Sequence, residues 1–218
     1  MTSHEPVFAT DRAALVARLR TILPAHCLLV DEEDLRPYEC DGLTAYRELP
    51  LAVCLPESEG QVIDVLRTCH QLGVPVVARG AGTGLSGGAM PHAQGVVLSL
   101  ARFNKILRVD RAARVAVVQP GVRNLAVSEA AAPHGLYYAP DPSSQIACTL
   151  GGNVAENSGG VHCLKYGLTV HNVLRIRVVS IEGEVFEVGS EAPDAPGYDL
   201  LALLIGSEGM LGVVTEVT

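Results

Sequence analysis

The sequence holds no pair of cysteines at C-x-x-C spacing. Its six cysteines, Cys27, Cys40, Cys54, Cys69, Cys148 and Cys163, stand well apart. That excludes an iron–sulfur or zinc site of the usual ligand pattern. His162 and His171 fall outside H-x-H and H-E-x-x-H spacing, so no metal site is expected from histidine either. Positive charge is scarce: 16 Lys and Arg face 24 Asp and Glu, a net charge of −8. Such a surface repels phosphate backbones and offers nothing to anionic lipid, which argues against nucleic acid and against membrane-surface binding. No apolar run is long enough to cross a bilayer, and Leu200 to Ile205 is far too short. Met1 to Asp11 lacks a basic segment followed by an apolar one, so a secretory leader is not expected. Scattered cysteines in a chain of this size fit a reducing, cytoplasmic compartment. Internal repeats and low-complexity tracts are absent as well.

What is present is core-forming. Of the 218 residues 48% are hydrophobic and 18% charged, enough to bury a substantial core in one large domain or two small lobes. The spacing of Leu15, Leu19, Ile22 and Leu23 predicts a helix over 11–23, capped by Asp11 and ended by Pro24. Residues 31–50 show no period and hold Pro37 and Pro50, so 1–50 reads as a helix and an irregular arm. From 51 to 55 runs a buried strand. Ser58 then caps a helix with an apolar stripe at Val62, Val65, Leu66, Cys69 and Leu72, stopped by Gly73. A second strand over 75–78 completes a β-α-β unit with a crossover long enough for parallel strands. Further strands are expected at 95–100, 106–109 and 115–118, a helix at 122–132, and a loop-rich stretch at 137–160 with a possible short helix at 152–158. A hairpin over 173–180 and 184–188, a short helix at 198–205 and a strand from 212 finish the reading. The shift from β-α-β to mainly β places a lobe boundary near 105–110. The last apolar run has no terminating turn, which suggests one domain of a longer protein.

Glycine carries the functional signal. The 22 glycines cluster at 80–88 and 151–160. Glycine costs stability inside an element, so a cluster points to a backbone that must turn sharply or approach a ligand. The loop Arg79-Gly80-Ala81-Gly82-Thr83-Gly84-Leu85-Ser86-Gly87-Gly88 leaves directly from a predicted strand. Its exposed N–H groups form a concave anion site, with Arg79, Thr83 and Ser86 as further donors, suited to a phosphate or diphosphate. Two other motifs overlap there. Gly82 to Gly87 fits G-x-G-x-x-G, but a nicotinamide fold needs a helix at once and an acid about 20 residues on. Pro91 and a strand follow instead, and Arg102 holds the acid's place. Gly84 to Gly88 fits the G-x-S-x-G elbow of a serine hydrolase, which also needs the missing helix. A second segment, Thr149 to Gly160, adds Asn153, Asn157 and Ser158 as polar groups, and two prolines stiffen the stretch around Asp141 before it. A third, Gly206 to Thr215, again brings permissive backbone up to a strand.

In this order the segments PVVARGAGTGLSGG, PDPSSQIACTLGGNVAENSGG and GSEGMLGVVTEVT resemble the FAD-binding domain of the vanillyl-alcohol oxidase/p-cresol methylhydroxylase flavoproteins. Within that family the chain is most similar to the branch of the bacterial glycolate oxidase FAD subunits and the D-lactate dehydrogenases, a match that PYECDGLTAYRELP and GGVHCLKYGLTVHNVL strengthen. The resemblance implies an α+β fold, a two-lobed FAD-binding domain over 51–218 with FAD between the lobes. It implies that the diphosphate sits on Arg79, Gly80, Ala81, Gly82, Thr83, Gly84, Ser86, Gly87 and Gly88. Pro140, Asp141, Thr149, Gly151, Gly152, Asn153, Ala155, Asn157, Ser158, Gly159, Gly160 and Tyr166 would line the flavin and ribityl side, and Glu208, Gly212 and Val213 would add contacts. The first loop has no histidine, so the FAD is expected to be non-covalent.

The activity so implied is oxidation of a small 2-hydroxy acid, glycolate or D-lactate, by hydride transfer to flavin N5. Its catalytic residues are expected beyond residue 218, in a substrate domain. An iron–sulfur subunit and a second FAD-type subunit are implied partners, with a peripheral place at the inner membrane through them. A non-catalytic FAD-binding subunit of a multi-subunit oxidase and a nicotinamide dehydrogenase are the alternatives.

Overall fold

The computed structural model describes residues 10–192 and 196–218. In helix α1 (Arg12–Ile22), the Asp11 carboxylate caps the first turn by accepting from the amides of Ala13 (3.0 Å) and Ala14 (3.1 Å). Leu15 and Leu19, one turn apart, are fully buried. A two-residue strand β1 (Leu28–Leu29) and a single-turn helix α2 (Glu32–Leu35) follow. Then come β2 (Ala52–Cys54), α3 (Glu59–Gln71), β3 (Val76–Arg79) and β4 (Val96–Ser99). The Ser58 hydroxyl caps α3 by accepting from the Gln61 amide at 3.3 Å, and Val62, Val65, Leu66 and Cys69 face the core.

These strands form one sheet in the order β1-β2-β4-β3. The expected β-α-β unit is present, with one difference: β2 and β3 are parallel to each other but not neighbours. Strand β4 lies between them, parallel to both. All four of its residues are buried, so it needs a partner on each side, whereas β3 is half-buried and suits an edge. Strand β1 adds to the other edge, antiparallel to β2. The segment before residue 51 thus contributes a strand and core side chains (Leu15, Leu19, Cys27, Leu28, Leu35) to the first sheet.

The second half supplies β5 (Ile106–Asp110), β6 (Val115–Val118), α4 (Asn124–Ala131), α5 (Leu150–Glu156), α6 (Cys163–Tyr166), α7 (Thr169–Asn172), β7 (Arg175–Val179), β8 (Val185–Gly189), α8 (Leu200–Leu204) and β9 (Val213–Val217). The sheet order is β5-β6-β9-β7-β8, antiparallel throughout. The β7–β8 hairpin turns through Gly183, whose amide donates to the Ser180 carbonyl at 2.9 Å. Helix α5 starts two residues before the sequence suggested, because Thr149 supplies its cap. Each sheet has its own apolar cluster, and Val179 and Val213 of the second sheet pack into the first cluster.

One carboxylate fastens the two lobes. Glu59, the first residue of α3, accepts from Arg177 Nε (2.8 Å) and Nη2 (2.9 Å) on β7 and from Thr215 Oγ1 (2.8 Å) on β9. Arg67, further along α3, donates to the carbonyls of Glu182 (3.2 Å) and Gly183 (3.1 Å) in the β7–β8 turn. The Arg177 hydrogen bonds, helped by Thr215, hold the Glu59 carboxyl below its ordinary value, and the same contacts raise the Arg177 guanidinium. A depressed carboxyl contributes stability that is present above its unfolded pKa and is lost as pH falls through the lower folded value. Glu59→Ala is therefore expected to cost about 1–2 kcal/mol near neutral pH, after allowance for partial exposure of the pair. Urea unfolding at pH 7 and below the ordinary glutamate value of 4.5 checks this. The gap between wild type and variant should shrink at the lower pH.

Candidate functional site

Where β3 ends, the chain enters the first glycine loop instead of a helix. The loop presses against the start of α5. A Cβ at Gly80 would stand 2.3 Å from Thr149 Oγ1, the atom that caps α5 by accepting from the Gly152 amide at 3.4 Å. Only glycine permits that approach. Gly82 adopts a left-handed φ of +70°, and a Cβ there would stand 2.2 Å from Arg79 Nη2. The third segment joins α5 from the other side: the Gly206 amide donates to the Val154 carbonyl at 2.8 Å and the Glu208 amide to the Ala155 carbonyl at 2.9 Å. Glu208 takes a left-handed φ of +53°, a strained conformation for a residue with a side chain.

The three segments close on one cleft. Arg79, Gly80, Ala81, Gly82, Thr83, Gly84 and Gly88 line it from the first loop. Thr149, Gly151, Gly152, Asn153, Ala155 and Ser158 line it from α5 and just beyond, and Glu208, Gly212 and Val213 from the third segment. Among the described residues, the main-chain N–H groups of 81–88 donate to no protein acceptor. Asn153 is 1% exposed, and its side-chain amide nitrogen lacks any partner among the described residues. A buried donor without an acceptor is costly, and here it belongs to a residue on the cleft wall.

Arg79 lines the cleft and is also tied to the protein around it. It is 8% exposed, and its Nη1 donates to the carbonyls of Cys40 (2.8 Å) and Ala89 (3.0 Å). Its guanidinium carbon lies 5.6 Å from the centre of the Tyr38 ring. Burial lowers the Arg79 pKa, and the neighbouring Asp41 offsets part of that shift. Nη1 therefore pins the exit of the loop to the arm before β2. Ser86 also turns inward on the protein, its hydroxyl donating to the Glu156 carboxylate at 3.2 Å.

Other expected contacts fall outside the cleft wall: Ser86, Gly87, Pro140, Asp141, Asn157, Gly159, Gly160 and Tyr166. Several of them brace the wall from behind. The Pro140 carbonyl accepts from the buried Asn124 side chain at 3.0 Å. Asp141 Oδ2 pairs with His162 Nδ1 at 2.6 Å, and that bond holds the Asp141 carboxyl low. Gly160 packs so closely that its Cβ would stand 2.2 Å from the Asp141 carbonyl. Asn157 accepts from the Val170 amide at 3.0 Å. Tyr166 stacks edge-on against Tyr137 at 6.1 Å, with Lys165 4.8 Å from its ring centre, and its hydrogen bond to Lys165 lowers its phenol. Wall residues that sequence reasoning did not single out include Pro120, Ser144, Cys148, Glu156 and Ser207. Glu156 had a signal, a lone carboxylate inside a glycine-rich run; Pro120 and Cys148 had none.

The packing of Gly80 on Thr149 can be tested by coupling. Gly80→Ala is expected to cost about 1–3 kcal/mol by overpacking, and Thr149→Ala about 1 kcal/mol by loss of the cap. The double variant should be less destabilised than the two single costs added, because removing Oγ1 makes room for the methyl. Thermal unfolding of the four proteins reads the coupling, and strict additivity would refute the contact.

Comparison with known proteins agrees with this geometry. The chain is 62% identical over 208 residues to glycolate oxidase subunit GlcD of Escherichia coli (strain K12), covering 95% of this chain and 42% of that protein. It is 41% identical over 167 residues to a D-lactate dehydrogenase of Archaeoglobus fulgidus, covering 76% of this chain and 37% of the relative. The chain thus spans about two fifths of the length of these curated relatives. Among solved structures, alkyldihydroxyacetonephosphate synthase superposes with a TM-score of 0.82 at 25% identity, covering 94% of this chain and 39% of that one. The two-sheet α+β fold is the expected one. The family described as "FAD binding domain" matches residues 50–189, more than half of the chain, and the chain belongs to that family.

Proposed function

We propose that the cleft holds a non-covalent FAD, and that the protein of which this chain is the cofactor-binding part oxidises a small 2-hydroxy acid to the 2-oxo acid. The observation that carries the reading is the convergence of three glycine-bearing segments on one cleft with donors to spare. The residues present fit the cofactor. The loop over 81–88 offers main-chain N–H groups to a diphosphate, where side chains would fill the space. The Asn153 amide offers a donor to a ring or sugar oxygen. When bound, the flavin supplies the acceptor for a hydride from the substrate's Cα.

This chain's residues bind and orient. The Arg79 pin and the Gly80–Thr149 contact fix the loop before any ligand arrives, so little ordering is left for the binding step. Leu100, Val154 and Val213 make part of the cleft wall apolar. The similarity to a glycolate oxidase subunit and to a D-lactate dehydrogenase favours glycolate or D-lactate as the substrate. The base that takes the hydroxyl proton is expected outside this chain. A multi-subunit oxidase with an iron–sulfur subunit and a second FAD-type subunit is the assembly we propose. The described residues include no helix long and apolar enough to cross a membrane. On the separation of the two sheets we propose one two-lobed domain over 51–218, into whose first lobe the preceding segment is built through β1 and the buried side chains of α1.

Titration of FAD into the full chain should give saturable quenching of flavin fluorescence, with riboflavin binding more weakly because it lacks the diphosphate. Absence of quenching by a folded protein would overturn the FAD reading. Asn153→Leu should weaken FAD by roughly tenfold, about 1.4 kcal/mol, with little loss of thermal stability because the nitrogen it removes has no partner. Anaerobic addition of glycolate or D-lactate to the full-length protein should bleach the flavin absorbance, and no bleaching by any 2-hydroxy acid would exclude the oxidase reading.

A further inference from the structure

Away from the cleft, one cluster of side chains has the make-up of a metal centre. Among the described residues, His26, Cys27 and Glu57 form a group whose three possible ligand atoms all lie within 4.8 Å of one another. His26 and Cys27 belong to the 3-10 turn Ala25–Cys27 just before β1, and Glu57 stands in the loop between β2 and α3. Backbone bonds set these segments side by side. The Leu55 amide donates to the Cys27 carbonyl at 2.8 Å, and the Cys27 amide donates to the Pro24 carbonyl at 2.8 Å. The Glu57 amide donates to Gln61 Oε1 at 2.7 Å. Cys27 is fully buried, while the His26 ring and the Glu57 carboxylate are exposed. The sulfur is thus the floor of the group, and its mouth faces water.

The donor set selects the ion. Imidazole nitrogen, thiolate and carboxylate are the ligand types of Zn2+, whereas calcium and magnesium take oxygen alone. In a tetrahedral zinc site with bonds of about 2.0–2.3 Å, neighbouring ligand atoms stand roughly 3.3–3.8 Å apart. His26 Nε2 and Glu57 Oε1 are already 3.2 Å apart. The sulfur lies within 4.8 Å of both, so turning two exposed side chains closes the site. The His26 hydrogen bond, together with Arg102, holds the Glu57 carboxyl below its ordinary value, which keeps it an anion. Burial pushes the Cys27 thiol up, Arg102 pulls against that shift and Glu57 adds to it. One group opposes a cation: Arg102 Nη1 donates to Glu57 Oε1 at 2.7 Å, and its Nη2 to the His26 carbonyl at 3.4 Å. His26 and Arg102 both engage Oε1, which leaves Oε2 to an ion.

We propose that His26, Cys27 and Glu57 bind one Zn2+ ion as a structural clip between the turn before β1 and the loop before α3. On binding, the Cys27 thiol gives its proton to solvent and a Zn–S bond forms. The imidazole and the carboxylate replace further water of the ion's shell, the fourth position keeps a water, and no oxidation state changes. None of the three residues lines the cleft, so the ion is independent of FAD. The clip acts on the first lobe, two residues before Glu59, the carboxylate that ties the lobes together. Its spacing matches no metal motif, because two ligands are adjacent in the chain and the third lies beyond β2.

The test uses the full chain, freed of metal by a chelator and titrated with Co2+, which occupies zinc sites and reports its ligands by colour. The expected result is saturation at one equivalent, with a near-ultraviolet thiolate-to-cobalt band, the visible bands of a tetrahedral site, and loss of both on addition of Zn2+. Cys27→Ser should abolish the thiolate band. His26→Ala, at an exposed position that spares the core, should weaken Co2+ by about tenfold or more, since even the outer partners of metal ligands are worth that much. Arg102→Met removes the opposing charge and should tighten Co2+ about three- to tenfold. The Tm of the wild type should rise by about 5–10 °C at free Zn2+ about a hundredfold above Kd, and the Tm of His26→Ala should stay where it was. A folded wild type without the thiolate band, or a band that survives in Cys27→Ser, would mean adventitious metal only and overturn the proposal. Full affinity in His26→Ala, or weaker binding in Arg102→Met, would overturn it as well.

Discussion

The cleft depends on two sheets being held in register with each other, and the ion pair between Glu59 and Arg177 is the polar tie between them. Each sheet has an apolar cluster of its own, and Val179 and Val213 of the second sheet also pack into the first cluster. Beside that apolar contact stands the N-terminal end of α3, where one carboxylate receives two guanidinium nitrogens from β7 and a hydroxyl from β9. The crossover helix of one sheet thereby becomes the anchor of the other. With that tie in place, the loop that leaves β3 and the helix that follows Thr149 meet at a fixed distance, and the meeting point has room for a hydrogen atom but not for a methyl group. The order of cause runs from a polar clamp to a relative placement of sheets, and from that placement to a cradle of main-chain amides.

Local patterns in the sequence announced most of the elements because their physics is local. Helix α3 is written in Ser58, in the spacing of Val62, Val65, Leu66 and Cys69, and in Gly73. The glycine loops were equally plain, since glycine at such density has few uses outside turns and close approaches. What could not be read was anything decided by a distant partner. Strand β1 is only two residues long and exists because Cys54 and Val53 offer it an edge. The place of β4 between β2 and β3 follows from burial on both sides, which no window of sequence displays.

The site shows the same division. That residues 79–88, 149–160 and 206–215 lie against one cleft was implied by the resemblance their motifs and order carry. Which way Arg79 points was not, because its acceptors include the Cys40 carbonyl, from an arm with no periodic signal. Asp141 and His162 are 21 residues apart with no motif linking them, yet they form the tightest contact behind the second segment. Ser86 reads as a donor to a ligand, and in the structure its hydroxyl donates to Glu156, a partner visible only when α5 is set against the loop. Glycines mark where a ligand has space, and the charged side chains around them are arranged by the fold.

Among the described strands β9 is the latest in sequence order of its sheet, yet it occupies the middle, between β6 and β7. During synthesis the β5–β6 and β7–β8 pairs emerge first, and each is a two-stranded ribbon of marginal stability by itself. They cannot be welded into one sheet until Val213 to Val217 has left the ribosome. The first sheet, complete by Ser99, is free to consolidate long before. Assembly is therefore staged, with an early scaffold waiting on a late keystone. Thr215, the hydroxyl that completes the Glu59 clamp, sits on that keystone, so the clamp between the two halves closes with the same strand that joins the two ribbons.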